Sequence, residues 1–321
     1  LNISVVIPVY NEAESLPKLQ RALHEALDLP SVANWEVIYV DDGSTDETSE
    51  ILEKIAQEDS DHTRVVEFSS NFGQTAAIAA GIDYAQGEII VLMDADLQND
   101  PTDIPMMLEK LEQGYDVVSG WRVNRQDKFL TRRIPSRSAN WLISTVTGVK
   151  LHDYGCTLKA YRREVLANFR LYGEMHRFIP AYASSVGAKI IEVPVQHHPR
   201  RYGVTKYGLS RTTKVILDLF TVKFLMSYAN KPIYLFGGTG IILIVVSFFS
   251  MLFLLIRRFA LGTSVFSSPI FILSILLLIL GFQSFLLGLI AELLMRTYHE
   301  STQKPTYTVR TVINLPSKQN N

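Results

Sequence analysis

Two long stretches toward the C-terminus carry no formal charge: residues 232–256, 25 residues in all, and residues 259–291, 33 residues. About 20 helical residues cross the hydrocarbon layer of a bilayer, so each stretch is long enough to span it. The alternative is a buried helical hairpin in a soluble protein, but core helices rarely run so far without a charge. Residues 262–267 read as a turn, which starts the second span near Ser268 and leaves Arg257 and Arg258 in the short connection. A transmembrane hairpin is therefore expected over 232–295, with spans at about 232–256 and 268–291. Gly237-Gly238-Thr239-Gly240 in the first span predicts close helix packing.

The charges flanking the spans give an orientation. Arg211, Lys214, Lys223 and Lys231 precede the first span, and Arg296, Lys304 and Arg310 follow the second. These seven cations outnumber the arginine pair between the spans, which predicts cytoplasmic termini. Residues 209–231 place Val215, Ile216, Leu219, Phe220, Phe224 and Leu225 near helical spacing, with Arg211, Lys214 and Lys223 between them. That pattern reads as an amphipathic helix lying on the membrane, or as an ordinary surface helix. The cytoplasmic tail, 296–321, contains a strand-like alternation at 306–315. It is expected either to pair with the same segment of another subunit in a homo-oligomer or to be disordered.

The first 208 residues alternate two periodicities. Strand-like runs at 3–9, 37–40, 65–68, 89–93 and 116–120 are separated by helix-like segments at 15–27, 46–58, 74–84 and 103–113. Ser44 with Glu47 reads as a capping box opening the second helix. Further helices are expected at 136–147, 163–168 and 177–185, with a strand at 189–193. This order predicts an α/β domain over 1–208 whose mostly parallel sheet is covered on both faces. Because the chain opens on Leu1 directly before a strand, the expectation is that a few native residues precede it and that there is no signal peptide. One cysteine, Cys156, excludes an intrachain disulfide or a Cys-rich zinc site. A net charge of −1, from 31 Lys+Arg against 32 Asp+Glu, argues against nucleic acid as partner.

In open α/β sheets ligands bind beyond the carboxyl ends of the strands. The polar residues concentrate there. Asp94-Ala95-Asp96-Leu97-Gln98 follows an apolar strand, and two carboxylates one residue apart can converge on a hard cation, Mg²⁺ or Mn²⁺. Gln98 supplies a further oxygen. Pro8-Val9-Tyr10-Asn11-Glu12 ends the first strand and Asp41-Asp42-Gly43-Ser44-Thr45-Asp46 the second. Each could be only turn and cap chemistry, but three such segments at neighbouring strand ends are far more specific. Arg122, Arg125, Arg132, Arg133 and Arg137 are dense enough to grip a phosphate, or to form a basic face toward anionic lipid. His197 and His198 are adjacent and poor candidates for metal ligands. His152 and His176 read as structural or substrate-positioning, and Cys156 as a small buried side chain.

In this order and spacing, PVYNE, VDDGSTD and DADLQ resemble glycosyltransferase family 2 with a GT-A (Rossmann-like) fold. The run 153–162 (DYGCTLKAYR), His176-Arg177-Phe178-Ile179-Pro180 and the two apolar spans make the chain similar to the polyprenyl-phosphate glycosyltransferases, which include bactoprenol glucosyltransferases and dolichol-phosphate mannose synthases. The resemblance covers residues 1–295, roughly. It implies that Pro8, Tyr10, Glu12 and Asp42 line the nucleotide sugar, and that Asp94, Asp96 and Gln98 hold the metal and diphosphate. It further implies that Asp153 is catalytic, that Arg122, Arg132, Ser136 and Arg137 bind the acceptor phosphate, and that Arg201 and Lys206 lie in a loop over the diphosphate. The implied reaction is metal-dependent, inverting transfer of one hexose, first of all glucose from UDP-glucose, to undecaprenyl phosphate at the cytoplasmic membrane face. GDP-mannose with dolichol phosphate is the alternative, and a modified-arabinose donor a third. An inactive membrane scaffold is disfavoured by the intact Asp94, Asp96, Gln98 and Asp153. A processive polysaccharide synthase is disfavoured by the lack of a Q-x-x-R-W segment.

Overall fold

The computed structural model describes residues 2–30, 32–123, 140, 143–145, 147–166, 175–199, 233–266, 268–301 and 307–315. The chain divides into two compact units: Leu1–Val222 together with Pro305–Asn321, and Lys223–Lys304.

The first unit is built on a sheet whose strands are β1 (Asn2–Val9), β2 (Asn34–Asp41), β3 (Thr63–Phe68), β4 (Ile89–Leu92), β5 (Val117–Trp121), β6 (Lys159–Arg162), β7 (Ile190–Pro194) and β8 (Val309–Ile313). Their order across the sheet is β7-β5-β6-β4-β1-β2-β3-β8. Helices α1 (Leu16–Leu27), α2 (Thr48–Glu58), α3 (Gln74–Tyr84) and α4 (Ile104–Glu112) connect the first five strands. Two shorter helices, α5 (Arg163–Leu166) and α6 (Ile179–Ser185), follow β6.

The sheet is buried on both faces, which is why its strands read as apolar runs rather than strict alternations. Ile3, Val5, Ile7 and Val9 of β1 join Leu16, Leu19 and Leu23 of α1 and Ile104 and Leu108 of α4 in one core. Val6 points to the other face and meets α3. That helix is rich in alanine because it lies so close: a Cβ on Gly81 would fall 2.2 Å from Val6 Cγ1.

Two features change the parallel pattern. β6 runs antiparallel between β4 and β5, with Leu92 opposite Lys159. Nothing in the patterning singles it out, because KAYR is short and carries two cations at its ends. Its direction matters: the residues that precede an antiparallel strand emerge at the carboxyl edge of its parallel neighbour, so 153–158 arrive beside the end of β4. β7 is parallel to β5, so residues 195–199 emerge at the same edge.

The tail forms β8, antiparallel to β3 of its own sheet, with Val66 opposite Val312. This pairing within the chain covers β3, which would otherwise be an open edge. Tyr307 stacks on Phe68 with ring centroids 5.1 Å apart. Ser44 and Glu47 do not form a capping box: Glu47 makes no side-chain cap bond, the Thr48 amide that opens α2 donates to Asp46 Oδ1 at 3.1 Å, and the Ser44 hydroxyl donates to Asp41 Oδ1 at 2.5 Å. The buried Asp41 carboxylate is the stronger acceptor.

The second unit is a pair of long helices, α7 (Ile233–Leu261) and α8 (Pro269–Ser301). Tyr234–Leu261 and Pro269–Ala291 are long and apolar enough to cross a membrane, and only 17% and 11% of their most apolar windows are buried. Helices so exposed are not the core of a soluble domain. Arg257 and Arg258 belong to α7 rather than to the connection, since the helix runs on to Leu261. Small residues let the helices touch: a Cβ on Gly240 would lie 2.6 Å from the Gly281 carbonyl oxygen. Ser247 Oγ donates to the Ser274 carbonyl at 2.6 Å. The amphipathic segment 209–231 lies outside the described residues.

Ending the chain at Lys304 should unpair β3 and uncover Phe68. The expected cost is roughly 1.5–3 kcal/mol of stability, the worth of one buried aromatic side chain, with increased self-association through the open edge. Denaturant unfolding and light scattering of the full and shortened chains check this; identical midpoints would contradict the role given to β8.

Candidate active site

The carboxyl ends of β1, β2 and β4 and the loop after β3 enclose one hollow. Pro8, Val9, Tyr10 and Glu12 line it from β1, Asp42 from β2, Asn71, Gly73 and Gln74 from the loop into α3, and Asp94, Ala95 and Asp96 from β4. Six sequence-derived residues, Pro8, Tyr10, Glu12, Asp42, Asp94 and Asp96, thus meet in one place.

The first two loops are latched together. Asn11 has a left-handed backbone, φ 54°, which turns the chain sharply after β1. Its amide donates to Ser44 Oγ at 3.0 Å, its side-chain oxygen accepts from the Thr45 amide at 2.8 Å, and the Glu12 amide donates to Thr48 Oγ1 at 3.0 Å. Asp41 accepts from the Ser44 amide and from the Ser44 and Ser49 hydroxyls. Asp42 is turned the other way: its carboxylate accepts from the Phe72 amide at 2.7 Å and the Gly73 amide at 3.0 Å. Burial raises the Asp42 pKa, against the effect of these amide bonds.

Asp94 is held from two sides. Gln74 Nε2 donates to Oδ1 at 2.7 Å, and Thr157 Oγ1 donates to Oδ2 at 2.9 Å. Burial and the neighbouring Asp96 carboxylate raise its pKa. The turn after β4 is tight, with Leu97 at φ 58° and the Gln98 amide donating to Asp96 Oδ1 at 3.1 Å. Gln98 also receives the His198 amide on its carbonyl at 2.8 Å, and His198 Nε2 lies 2.8 Å from Asp100 Oδ2. His198, just beyond β7, is therefore fastened to the acidic turn. The lining of the hollow does not include Gln98.

Asp153 is buried, 5% exposed, and forms a two-pronged ion pair with Arg122: Nε to Oδ2 at 2.7 Å and Nη2 to Oδ1 at 2.9 Å. A buried charge requires such a partner. Burial works against the Arg122 charge, but the bonds to Asp153 outweigh it and raise its pKa. Asp153 also accepts from the Gly155 amide at 3.1 Å, so it shapes its own turn as well. The turn is further fixed by Lys159, whose buried ammonium donates to the carbonyls of Tyr154 and Cys156. Burial pushes the Cys156 thiol up to about 11, so the group is an inert filler at neutral pH.

His176 is buried against Thr75 Oγ1, 2.7 Å from its Nδ1. His152 lies 2.7 Å from Glu192 and stacks on Trp121. Both have structural contacts. Arg125, Arg132, Arg133, Ser136, Arg137, Arg201 and Lys206 lie outside the described residues. Asn71, Gly73, Gln74 and Thr157 join the site without having been singled out in the sequence; the available signals were the position of 69–74 after β3 for the first three and the run 153–162 for Thr157.

The sequence model described as glycosyl transferase family 2 matches residues 4–170. A dodecaprenyl-phosphate galacturonate synthase from Rhizobium johnstonii is 44% identical, over 99% of this chain and 95% of that one. An undecaprenyl-phosphate 4-deoxy-4-formamido-L-arabinose transferase from Enterobacter sp. is 38% identical, over 98% of this chain and 94% of that one. Among solved structures, glucosyl-3-phosphoglycerate synthase from Mycobacterium tuberculosis in complex with Mn²⁺, uridine-diphosphate and phosphoglyceric acid aligns with a TM-score of 0.53 and 18% identity, covering 69% of this chain and 78% of that one. This last likeness bears on the fold, which is GT-A-like.

Gly73 in the hollow and Gly43 beside Asp42 should respond differently to alanine. Gly43 has φ +70°, and an added Cβ would lie 2.6 Å from the Ser70 carbonyl carbon; Gly73 has φ +95° with nothing within 4 Å. Gly73→Ala should cost about 1–3 kcal/mol through backbone strain alone. Gly43→Ala should cost clearly more, because the backbone of 70–71 must move. Equal unfolding midpoints for the two variants would contradict this packing.

Proposed function

The chain belongs to glycosyl transferase family 2, and we propose that it transfers a single sugar from a nucleotide diphosphate donor to a polyprenyl phosphate at a membrane. The observation that carries the reading is the meeting of Asp42, Asp94 and Asp96 in one hollow, in a chain alignable end to end with two polyprenyl-phosphate sugar transferases.

Pro8, Tyr10, Glu12 and Asp42 form the wall for the nucleotide. Asp42 is held in place by the Phe72 and Gly73 amides and still has lone pairs to accept from a base N–H. Asp94 and Asp96 offer hard oxygen donors, the set that suits Mg²⁺ or Mn²⁺; their existing bonds to Gln74, Thr157 and the Gln98 amide orient the carboxylates without exhausting their lone pairs. A divalent ion bound there would neutralise charge on the departing diphosphate. Gln98 supports this turn through its backbone.

The acceptor phosphate is already an anion, so one of its oxygens can attack the anomeric carbon directly. The bond from that carbon to the diphosphate oxygen breaks, nucleoside diphosphate leaves, and the configuration inverts. No strong base is required. Asp153, paired with Arg122, serves to orient that guanidinium, whose remaining N–H groups are proposed to take the incoming phosphate. Arg132, Ser136 and Arg137 are proposed to complete the acceptor site, and Arg201 and Lys206 to close on the diphosphate. Both termini and the catalytic unit are proposed to face the cytoplasm, on the excess of Lys and Arg outside the spans. Residues 209–231 are proposed to rest on the same surface.

The sugar is the finer question. The two named relatives act with galacturonate and with 4-deoxy-4-formamido-L-arabinose, so neither supports the expected UDP-glucose. We propose a uronic-acid or arabinose-derived donor, galacturonate first, with glucose and mannose as controls. Incubating the protein with each labelled nucleotide sugar, divalent ion and undecaprenyl phosphate should move label into the lipid phase for one of the first two. Long water-soluble polymer would indicate a synthase, and binding without turnover a scaffold. Asp96→Ala should lower transfer at least ~100-fold, the scale of losing one preorganised electrostatic contact to a developing charge, while circular dichroism stays unchanged. Wild-type turnover in that variant would remove the metal role from this turn.

A further inference from the structure

On the sheet edge opposite the hollow, two imidazoles and a carboxylate converge. His24 lies in the last turn of α1, Asp59 caps the end of α2, and His62 precedes β3. This is the amino end of β2, whose eight residues separate it from Asp42 by about 25 Å. One donor atom from each of the three residues lies within 4.8 Å of the others. Asp59 Oδ2 is 2.8 Å from His24 Nε2, and Asp59 Oδ1 is 3.0 Å from His62 Nδ1. The side chains of His24, His62 and Asp59 are 32%, 31% and 18% exposed, so an ion in solution can reach them.

A supporting layer orients these donors. Asp28 Oδ2 lies 3.0 Å from His24 Nδ1, which fixes a proton there and turns Nε2 toward Asp59. Asp28 is itself held by Trp35 Nε1 at 2.9 Å. Gln20 Nε2 donates to Asp59 Oδ2 at 2.7 Å, and the buried Tyr39 hydroxyl holds Gln20 at 2.7 Å. The Trp35 ring stacks on His62, centroids 4.3 Å apart. A carboxylate behind a ligating imidazole is the usual backing of a metal-bound histidine.

We propose that His24, Asp59 and His62 form a second divalent-cation site, distinct from the catalytic hollow and selective for a transition ion of the Zn²⁺ class. Two nitrogens and one carboxylate oxygen suit such an ion and do not suit Mg²⁺, which takes oxygen ligands. The 2.8 Å gap between His24 Nε2 and Asp59 Oδ2 is a few tenths below the ~3.3 Å between neighbouring ligands of a tetrahedral ion with bonds of ~2.0–2.1 Å, and the three donors lie within 4.8 Å of one another. A water completes the set. The ion would also sit where α1 and α2 both end, where positive charge is favoured. It would tie α1, α2 and β3 together, as a structural clamp on the catalytic unit. A proton is the competing occupant: burial disfavours a charged His24, but the bonds to Asp28 and Asp59 outweigh it and raise its pKa.

The test uses the full chain in detergent, stripped with chelator, carrying Asp94→Asn and Asp96→Asn to silence the hollow. One equivalent of Co²⁺ should bind with a visible d–d band that Zn²⁺ displaces, and Zn²⁺ should raise the thermal midpoint. His62→Gln, and separately His24→Gln, should weaken binding at least ~10-fold and abolish the midpoint shift. In the otherwise wild-type chain His62→Gln should lose one Zn²⁺ equivalent and keep its sugar transfer. No Co²⁺ uptake, equal uptake by parent and His62→Gln, or an equal shift with Mg²⁺ would overturn the proposal and leave a proton-bridged ion cluster.

Discussion

The catalytic unit comes together on a carboxylate whose two oxygens are pinned by different loops. Gln74 holds Asp94 from the start of α3, and Thr157 holds it from the turn before β6. Each of those segments reaches Asp94 only because of the sheet's topology. The parallel strands β1 to β4 bring their loops to one edge, and the antiparallel β6 brings the 153–158 turn there as well. Desolvation and the adjacent Asp96 make the Asp94 charge costly, which raises its pKa. A cation placed between the two carboxylates would relieve that cost, which is why the proposed divalent ion suits this cradle.

Charge compensation extends outward from this point. Arg122 pairs with Asp153, and both Arg122 and Lys159 favour the charged form of Asp94. Buried cations therefore stand behind buried carboxylates. Such an arrangement is preorganised for the proposed anionic ligands, because the charges need not reorient to receive them. It also suits Asp153 to the proposed task of aiming a guanidinium, since both its carboxylate oxygens are taken up by Arg122.

The alternating strands and helices of the first half were legible because their apolar periodicities are strong, and the elements fall within a few residues of the expected ranges. The acidic motifs at strand ends were legible for the same topological reason, and Pro8, Tyr10, Glu12, Asp42, Asp94 and Asp96 do share a hollow. What the sequence hid is tertiary. β6 is four residues long with charged ends, and its strand character comes from neighbours on both sides rather than from its own pattern. The tail's alternation was visible but not its partner, since an edge strand of the same sheet lies far off in sequence. Ser44 and Glu47 had capping-box spacing, but the competing acceptor, Asp41, is fixed only by the fold. Arg122 had the chemistry of a phosphate ligand, and its engagement with Asp153 is likewise a product of folding.

The most direct measurement is a calorimetric titration of the full chain with nucleoside diphosphate, with and without Mg²⁺ or Mn²⁺, repeated for Asp96→Asn. The account predicts that tight binding requires the divalent ion and that the variant loses that requirement together with at least ~10-fold of affinity. Equal affinity with and without the ion, unchanged in Asp96→Asn, would contradict it.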